Sequence, residues 1–339
     1  MPSIYPIKDE NGYTLPSGSN TNVLARLEKG GYRQQSNDDL SAVLNAEYKI
    51  MDGLFVKGMI GGQLLNNRTH ENRKGGYMPG TGDVENRMTE QFYRSESMTT
   101  NLMFTYNNSF GKHNVGAMAG YAYEGNIYKG FETYRLTETS DYDIMGGWQH
   151  SNVSNMGKGN DWAIYSGFAR LNYNFDERYL FEANLRNDVS SKFAKGNRSG
   201  WFPSLSAGWR ISEEAFYGNM KNYVSSMKLR GSWGLVGNNR IDDYAYMSTV
   251  GVAPGYNFGN NVVNVASFTA ANPDIKWEST SMVDLGLDLG FFDNSLNITL
   301  GYFNYTTNDI LVKLQVPGIF GIGNEFPVHN AAKVRNQGW

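Results

Sequence analysis

The sequence contains no cysteine, which excludes both a disulfide-stapled scaffold and thiolate chemistry. Basic residues do not outnumber acidic ones, since 30 Lys and Arg stand against 33 Asp and Glu, and they form no stripe. We therefore expect no nucleic-acid partner. No segment approaches the ~20 consecutive apolar residues of a membrane-spanning helix. The first residues, MPSIY, do not resemble the basic and apolar segments of a secretory signal.

What the chain does have is strict alternation. Residues 283–291 read VDLGLDLGF, so every odd position is apolar and every even position is Asp or Gly. In a β-strand this pattern puts all apolar side chains on one face and all polar ones on the other. The mean hydropathy of -0.50 does not contradict a membrane location, because only alternate residues of a barrel strand contact lipid.

The same period predicts an all-β fold, an antiparallel meander of about ten long strands. The predicted strands cover residues 39–50, 54–66, 91–108, 114–128, 161–175, 179–190, 201–212, 227–236, 278–291 and 296–312. Residues 1–38 are expected to form a loop that leads into the first strand. Residues 313–339 are expected to form a loop that leads to a further strand outside the chain.

The predicted connections alternate in length. Short ones lie at residues 51–53, 109–113, 176–178 and 292–295, and long polar ones at residues 67–90, 129–160 and 237–277. This alternation places the short turns at one rim and the long loops at the other. Outer-membrane barrels have short periplasmic turns and long extracellular loops, so the pattern favours that class.

The charges agree with a barrel that has a polar interior. Lys228 and Arg230 alternate with Leu229, and Glu182 and Arg186 lie opposite an apolar set. A basic side chain facing mid-bilayer lipid would cost roughly 2–4 kcal/mol, so the charged face is expected to line the lumen. A soluble β-sandwich, with its apolar faces buried against a second sheet, is the structural alternative.

Two blocks of sequence carry a family resemblance. The first is DERYLFEANLRNDVSSKFAKGNRSGWFPSLSAGWRISEEAFY followed by VSSMKLRGSWGLVGNNRI, and the second is NPDIKWEST followed by DLGLDLGFFDNSLNITLGYFNYTTNDIL. They resemble the SusC/RagA-like TonB-dependent outer-membrane transporters of Bacteroidetes. The matching positions include Arg186, Asp188, Ser190, Ser191, Phe193, Asn197, Arg198, Pro203, Trp209, Arg210, Glu214, Lys228, Arg230 and Asn238.

The resemblance implies that the chain is an incomplete segment of a transmembrane barrel of about 22 strands, without the plug domain. It also implies an outer-membrane transporter of a bulky nutrient, an oligosaccharide or a peptide. The implied partners are TonB, through a region outside this chain, a SusD-like surface lipoprotein, and outer-membrane lipid.

No catalytic, cofactor or metal site is predicted. His70, His113, His150 and His329 lie scattered in predicted loops and a turn without metal-ligand spacing, and we expect them to be solvated. Asp141 and Asp143 offer carboxylates to calcium but lack the ligand series of a calcium loop.

Two sets of residues are candidates for binding. Aromatic residues in the long loop at 129–160 are candidates for ligand contact, and the same composition also suits a solvated loop that packs on a partner lipoprotein or on its neighbours: Phe131, Tyr134, Tyr142 and Trp148. Charged residues of the lumen face are expected to pair with one another or to hold the plug: Glu182, Arg186, Arg210, Lys228, Arg230, Asp284 and Asp288.

Other functions remain open from the sequence. One alternative is a secreted or surface β-protein that binds glycan or matrix without transport. Another is a passive porin or an outer-membrane esterase, which would need a complete set of strands and, for the esterase, a Ser-His-Asp set.

Overall fold

The computed structural model describes Leu27 and residues 30–78, 82–137, 143, 145, 153–258, 261–269, 272–314 and 327–339. Nearly all of these residues lie in strands, and two short 3-10 helices, Ile211–Glu213 and Ala215–Asn222, interrupt them. Within these ranges, no helix has the length and apolar character required to cross a membrane.

The described residues contain fifteen strands. Their bounds are β1 Tyr32–Met51, β2 Leu54–Arg73, β3 Gly76–Met78, β4 Gly82–Val84, β5 Asn86–Phe110, β6 His113–Thr137, β7 Val153–Phe175, β8 Tyr179–Ser190, β9 Ser199–Arg210, β10 Val224–Asn238, β11 Thr249–Phe258, β12 Asn261–Thr269, β13 Glu278–Phe291, β14 Leu296–Lys313 and β15 Val328–Gly338.

Eleven strands form one sheet in the order β1-β2-β5-β6-β7-β8-β9-β10-β13-β14-β15. The remaining four make two separate hairpins, β3-β4 and β11-β12. Apart from these hairpins, each strand of the sheet pairs with the next one along the chain. The predicted all-β antiparallel meander is therefore confirmed, with eleven strands rather than about ten.

Both ends of the predicted strand region are corrected. β1 begins at Tyr32, so part of the predicted lead-in loop at 1–38 is strand. The segment at 313–339 was expected to be a loop, but β15 occupies Val328–Gly338 and pairs with β14 from Phe303 to Lys313. The sequence of β15, VHNAAKVRNQG, has polar residues on both faces, which explains why alternation did not reveal it.

The predicted long loops are also shorter than expected. β2 extends to Arg73 and β5 begins at Asn86, and the hairpin β3-β4 lies between them. β6 extends to Thr137 and β7 begins at Val153, so only part of 129–160 is a connection. The segment at 237–277 contains the hairpin β11-β12. Much of each predicted loop is therefore hydrogen-bonded β-strand.

The short connections have the predicted turn chemistry. Gly53 and Gly111 adopt positive φ angles of 80° and 62°, and Asp176 and Glu177 are also left-handed at 52° and 54°. Gly and Asp tolerate this conformation, which two-residue hairpin turns require, and Glu177 adopts it although Glu is not among the residues that favour it. Because every second connection of a meander lies at the same end of the strands, these turns share one edge of the sheet.

Strand register sorts the side chains onto two faces. Direct partners across six strands from β7 to β14 form one apolar row: Phe175, Tyr179, Trp209, Leu229, Leu287 and Leu300. We call the face that carries this row the apolar face. Leu229 and Leu300 are 47% and 57% exposed, so no described residue covers them. A sheet face of large, exposed apolar side chains is typical of a β-barrel wall that contacts lipid.

The chain divides into two compact units. The first is drawn from Met1–Ala42, Gly62–Ser97 and Asn126–Asp161, and Met88 and Thr69 are buried within it. The second is drawn from Val43–Gly61, Met98–Gly125 and Trp162–Trp339. Its small core is formed by Phe193, Ile241 and Ile275.

A charge on the apolar face should destabilise the protein more than one on the other face. We expect Leu285→Arg to cost roughly 2–4 kcal/mol, because Leu285 lies beside the apolar row and an arginine there meets hydrocarbon. The control is Ser232→Arg, which lies opposite Asp284 on the other face. Both variants are made in the full-length protein, and the folded fraction in outer membranes and the thermal midpoint are measured. Equal loss for both variants would contradict the face assignment.

Candidate functional site: the polar face of the sheet

The second face of the sheet is polar. Asn172, Glu182, Ser206, Ser232 and Asp284 are successive partners across β7, β8, β9, β10 and β13. We call the face that carries this row the polar face. By the two-residue period of each strand, all seven charged residues predicted for the lumen lie on it.

A concavity of about 850 Å³ lies on the polar face, within the second unit. Its lining is rich in amides, hydroxyls and charges: Asn107, Asn108, Ser109, Asn114, Asn172, Asn174, Glu182, Ser206, Lys228, Arg230, Ser232 and Asp284. Such a lining offers hydrogen-bond donors and acceptors to a polar molecule or protein segment.

Asp284 and Asp288 each have partners on the same face. The Arg230 guanidinium lies 3.2 Å from Asp288, which also accepts a hydrogen bond of 3.1 Å from the Thr299 hydroxyl. The Tyr305 hydroxyl donates to Asp284 at 2.8 Å. Arg230 and Asp288 therefore pair with each other, while the role of these charges toward a plug stays a prediction.

Three more of the predicted charges have closer partners. Arg186 contacts Asp188 at 2.7 Å and donates to the Ser166 hydroxyl at 2.9 Å. Glu182 accepts a hydrogen bond of 2.8 Å from Asn184 and lies 3.9 Å from Arg170. Arg210 lies 3.5 Å from Glu177 in the turn between β7 and β8. These groups are satisfied within the wall.

Lys228 differs from the other six. It makes no hydrogen bond or ion pair with any residue that the structure describes, although it lines the concavity. Its stem packs on Gly208, where a Cβ would lie 3.3 Å from Lys228 Cε. An ammonium held against the wall without a counter-charge is the group most available to an acidic partner.

Two of the four predicted ligand-contacting residues lie on a strand. Phe131 and Tyr134 lie in β6, not in a loop, and their spacing of three puts them on opposite faces. The Arg87 guanidinium covers the Tyr134 ring at 3.9 Å, and Phe131 lies 6.2 Å from the Phe92 ring. Tyr142 and Trp148 lie outside the described residues, as does His150.

The sequence did not predict a cluster of polar side chains around His70 in the first unit. His70 was expected to be a solvated loop residue, but it lies in β2 with its side chain only 16% exposed. Its Nδ1 lies 2.5 Å from Glu90 and its Nε2 lies 2.8 Å from Asp143. Tyr32 donates to Asp143, and Asn72 donates to the same carboxylate at 3.0 Å.

The contacts at both ring nitrogens favour the doubly protonated imidazolium. Glu90 first, and then Asp143, raises the pKa of His70 above its ordinary value of 6.5. The hydrogen bond from Tyr32, followed by that from His70, lowers the pKa of Asp143 to about 2. Arg68 is also near this cluster, 3.9 Å from Glu90. No group of three or more His, Asp or Glu within the described ranges is arranged to hold a metal ion.

Several residues that carry the family resemblance build a packed cluster between connections. Phe193 and Ile275 are fully buried, and Trp277 lies 5.4 Å from the Phe193 ring. The Trp277 indole donates to the Arg198 carbonyl at 2.8 Å, and Asn197 donates to the Pro273 carbonyl at 3.1 Å. The motif therefore ties the β8-β9 connection to the segment before β13.

The His70 cluster should respond to pH in a defined direction. Because the folded-state pKa of His70 is raised, its stabilising contribution is complete below pH 6.5 and is lost as pH rises through the raised value. Because the pKa of Asp143 is lowered, the carboxylate stabilises the folded state fully above its ordinary pKa of 3.8. This stabilisation is lost only as pH falls through the lowered pKa of about 2. The contact between His70 and Asp143 is therefore expected to weaken as pH rises through the raised pKa of His70.

The thermal midpoint of the full-length protein, followed from about pH 5.5 to about pH 9, measures this contribution. The midpoint should fall as pH rises through the raised pKa of His70, and His70→Gln should remove that part of the pH dependence. His113→Gln is the matched control, because among the described residues His113 has no carboxylate partner and contacts the Tyr173 hydroxyl and nearby rings. An unchanged pH profile in His70→Gln would show that the imidazole does not make this contribution.

Comparison with known proteins agrees with this geometry. The family described as TonB dependent receptor-like, beta-barrel matches residues 4–339. The sequence is 31% identical to the TonB-dependent receptor SusC of Bacteroides thetaiotaomicron, over 96% of this chain and 32% of SusC. It is 29% identical to the TonB-dependent receptor P3 of Formosa agariphila, over 90% of this chain and 30% of that receptor.

A solved structure described as the RagAB peptide transporter superimposes with a TM-score of 0.82 and 27% identity, covering 100% of this chain and 38% of that chain. The same importer in its open-open state gives a TM-score of 0.78. The chain thus spans about a third of the length of these relatives. By its sequence match and its two-faced meander, the chain belongs to the outer-membrane family of TonB-dependent receptor-like β-barrels, with SusC-like relatives.

Proposed function

We propose that this chain forms part of the wall of an active transporter that imports a bulky polar nutrient across the outer membrane. The observation that carries the proposal is the division between the apolar face and the polar face with its 850 Å³ concavity. Lipid contact on one side and a hydrogen-bonding wall on the other are what a polar import path requires.

The proposed cargo is an oligosaccharide or a peptide. Support comes from the relatives, because SusC-like receptors match most of the chain and the superimposed RagAB structure is described as a peptide transporter. Phe131 and Tyr134 on β6 are kept as proposed contacts, and Tyr134 shares its face with Glu132 and Tyr128. Tyr142 and Trp148 are kept as proposed contacts from the sequence.

The proposed partners are a SusD-like surface lipoprotein and TonB. Support comes from the similarity of the chain to SusC and to the RagAB peptide transporter, and from the family resemblance of the sequence. The contact with TonB is proposed for a part of the full-length protein other than this chain. In this scheme, energy from TonB rearranges a plug domain that occupies the barrel.

Lys228 is the residue that we propose meets the plug. It extends into the concavity without a counter-charge among the described residues, whereas Arg230 is paired with Asp288. A plug carboxylate at this point would gain an ion pair that the wall alone does not provide. Glu182, Arg186, Arg210, Arg230, Asp284 and Asp288 are proposed to support this surface through their own pairs and hydrogen bonds.

The alternative of a secreted glycan-binding β-protein has less support. A sandwich would bury its apolar face against a second sheet, but Leu229, Leu285 and Leu300 remain about half exposed. Enzymatic function also lacks support, because the family consists of receptors and transporters.

Uptake by cells that express the full-length protein tests the proposal. Labelled oligosaccharides and peptides are offered separately, with and without a protonophore and with and without TonB. Accumulation of one class should require both the proton gradient and TonB. Accumulation that survives the loss of TonB would indicate a passive pore and would overturn the proposal.

Lys228→Glu should reduce this uptake roughly tenfold, the factor that corresponds to ~1.4 kcal/mol of lost charge pairing. The control is Lys195→Glu in the exposed connection between β8 and β9. The amount of protein in the outer membrane and its thermal midpoint should match the wild type in both variants. Normal uptake by Lys228→Glu would remove Lys228 from the proposed plug contact.

A further inference from the structure

Two tyrosine rings lie side by side on the polar face within the first unit. Tyr93 of β5 and Tyr128 of β6 have ring centroids 5.7 Å apart and planes within 9° of parallel. Each residue is only partly buried, so part of each ring is accessible. By the two-residue period of each strand, they share the face on which Asn126 donates to the hydroxyls of Ser95 and Ser97 at 2.7 and 2.8 Å. We call the two rings the tyrosine platform.

Gly130 of β6 makes room for the platform. A Cβ atom at this position would lie 2.1 Å from Tyr93 Cδ1 and 2.6 Å from the Phe92 carbonyl oxygen. Any larger residue would therefore displace the ring or the backbone. Because the Tyr93 ring lies against the wall at a glycine, its other side is turned toward the space that the polar face borders.

A positive charge lies over the platform. The Lys158 ammonium is 4.7 Å from the centroid of the Tyr93 ring and 5.9 Å from that of Tyr128. Lys158 is exposed, and within the described part of the chain it makes no ion pair. Glu124 shares the face of Tyr128 but lies four positions away along β6, a distance of about 13 Å. The charge over the platform is therefore not neutralised by the described wall.

A second cation lies on a tyrosine farther along the same two strands. The Arg87 guanidinium of β5 covers the Tyr134 ring of β6 at 3.9 Å. Its Nε is buried and has no hydrogen-bond partner among the described residues. The nearby Glu132 accepts a hydrogen bond of 2.8 Å from Gln91 and lies 3.8 Å from Arg87. Tyr134 is six positions beyond Tyr128, about 20 Å along the strand, so the two tyrosine and cation pairs form an extended track.

This combination of groups selects a particular kind of ligand. The electron-rich face of a tyrosine ring attracts the polarised C–H groups of a pyranose ring. An ammonium group forms its strongest hydrogen bonds with an anionic oxygen, such as that of a carboxylate or a sulfate. The adjoining amide and hydroxyl groups of Asn126 and Ser95 suit the hydroxyl edges of a sugar. A neutral sugar would use the rings but leave Lys158 without a counter-charge.

The platform lies where incoming cargo would first meet the wall. Tyr93 is beyond Arg94 and Glu96 on β5, on the side away from the short turn that follows Phe110. Barrels of this class place that side outside the cell. The platform is therefore on the long-connection side of the lipid-crossing part of the strand.

We propose that the tyrosine platform and Lys158 form a subsite for an acidic oligosaccharide. One pyranose ring stacks on Tyr93 and Tyr128, and its carboxylate or sulfate group binds the Lys158 ammonium. Arg87 and Tyr134 contact a later anionic sugar of the same chain. The subsite rests on the proposed function, and it selects an acidic sugar over a peptide as the cargo.

Calorimetric titration of the purified full-length protein in lipid nanodiscs tests the subsite. The probes are an oligogalacturonate and its methyl ester, a sulfated galactan oligosaccharide and its desulfated form, and an oligoglutamate of similar charge. At least one acidic sugar should bind about tenfold more tightly than its own neutral form, because only the acidic form pairs with Lys158. A preference within the first pair identifies a carboxylate as the anion, and a preference within the second identifies a sulfate.

Variants separate the charge from the rings. Lys158→Gln should remove the preference for the acidic form and leave the affinity for the neutral form unchanged. Lys129→Gln is the matched control, because Lys129 is also exposed on β6 but lies on the opposite face. Tyr93→Leu, which keeps an apolar side chain without the ring, should weaken binding of acidic and neutral forms alike. Gel mobility without heating verifies that each variant is folded.

Three outcomes would overturn the subsite: no binding of either acidic sugar, equal affinity for the acidic and neutral forms in both pairs, or tighter binding of oligoglutamate than of both acidic sugars. An acidic-form preference that Lys129→Gln removes and Lys158→Gln does not would also overturn it. The titration needs neither TonB nor a proton gradient. TonB-dependent uptake without this binding would thus refute only the subsite, and binding without such uptake would refute only the proposed function.

Discussion

Every backbone amide and carbonyl group within the hydrocarbon of a bilayer needs a hydrogen-bond partner in the protein, and this requirement governs the whole structure. The chain meets it with a meander in which β7, β8, β9 and β10 pair in sequence without a register shift. Register then fixes function, because a slip of one residue would move Arg230 to the lipid side and Leu229 to the polar side. The same ladder that satisfies the backbone therefore also separates the membrane surface from the hydrogen-bonding wall.

Only the part of each long strand that crosses the bilayer needs an apolar face. A tilted strand crosses the bilayer in about 9–11 residues, whereas β5 and β6 each contain 25. On β5 the apolar positions run from Met98 to Tyr106, and the ion pair of Arg94 and Glu96, at 2.6 Å, lies on the same face farther along. Charged side chains are unfavourable in hydrocarbon, so this part of β5 lies in water. The strand stays hydrogen-bonded to its neighbours there, but its side chains are polar. The His70 cluster lies in such a polar part of a strand. There the charges of His70, Glu90 and Asp143 are not exposed to hydrocarbon.

Hydrophobic alternation was enough to predict the strands that contact lipid and the face of each charge, including Glu182, Arg186 and Asp288. It failed where neither face of a strand meets lipid. β15 and the outer parts of β2, β6 and β7 are polar on both sides, so nothing in their sequence alternates. The contact of His70 with Glu90 and Asp143 was also beyond sequence reasoning, because it joins residues up to 73 positions apart. Phe131 and Tyr134 were grouped as one aromatic loop, but the strand period separates them onto opposite faces.

The residues that carry the family resemblance divide into two physical roles. Phe193, Arg198 and Trp277 pack or hydrogen-bond within the cluster between connections, which explains their pattern without any ligand. Lys228 and Arg230 share the KLR segment, yet only Arg230 is neutralised by a described partner. Among the described residues Lys228 has no counter-charge, whereas the other six predicted charges have partners within the wall, so Lys228 is the one whose placement the wall itself does not explain. The likeness to SusC and RagAB agrees with this construction of the wall, and Lys228 is the group available for the proposed contact with the plug.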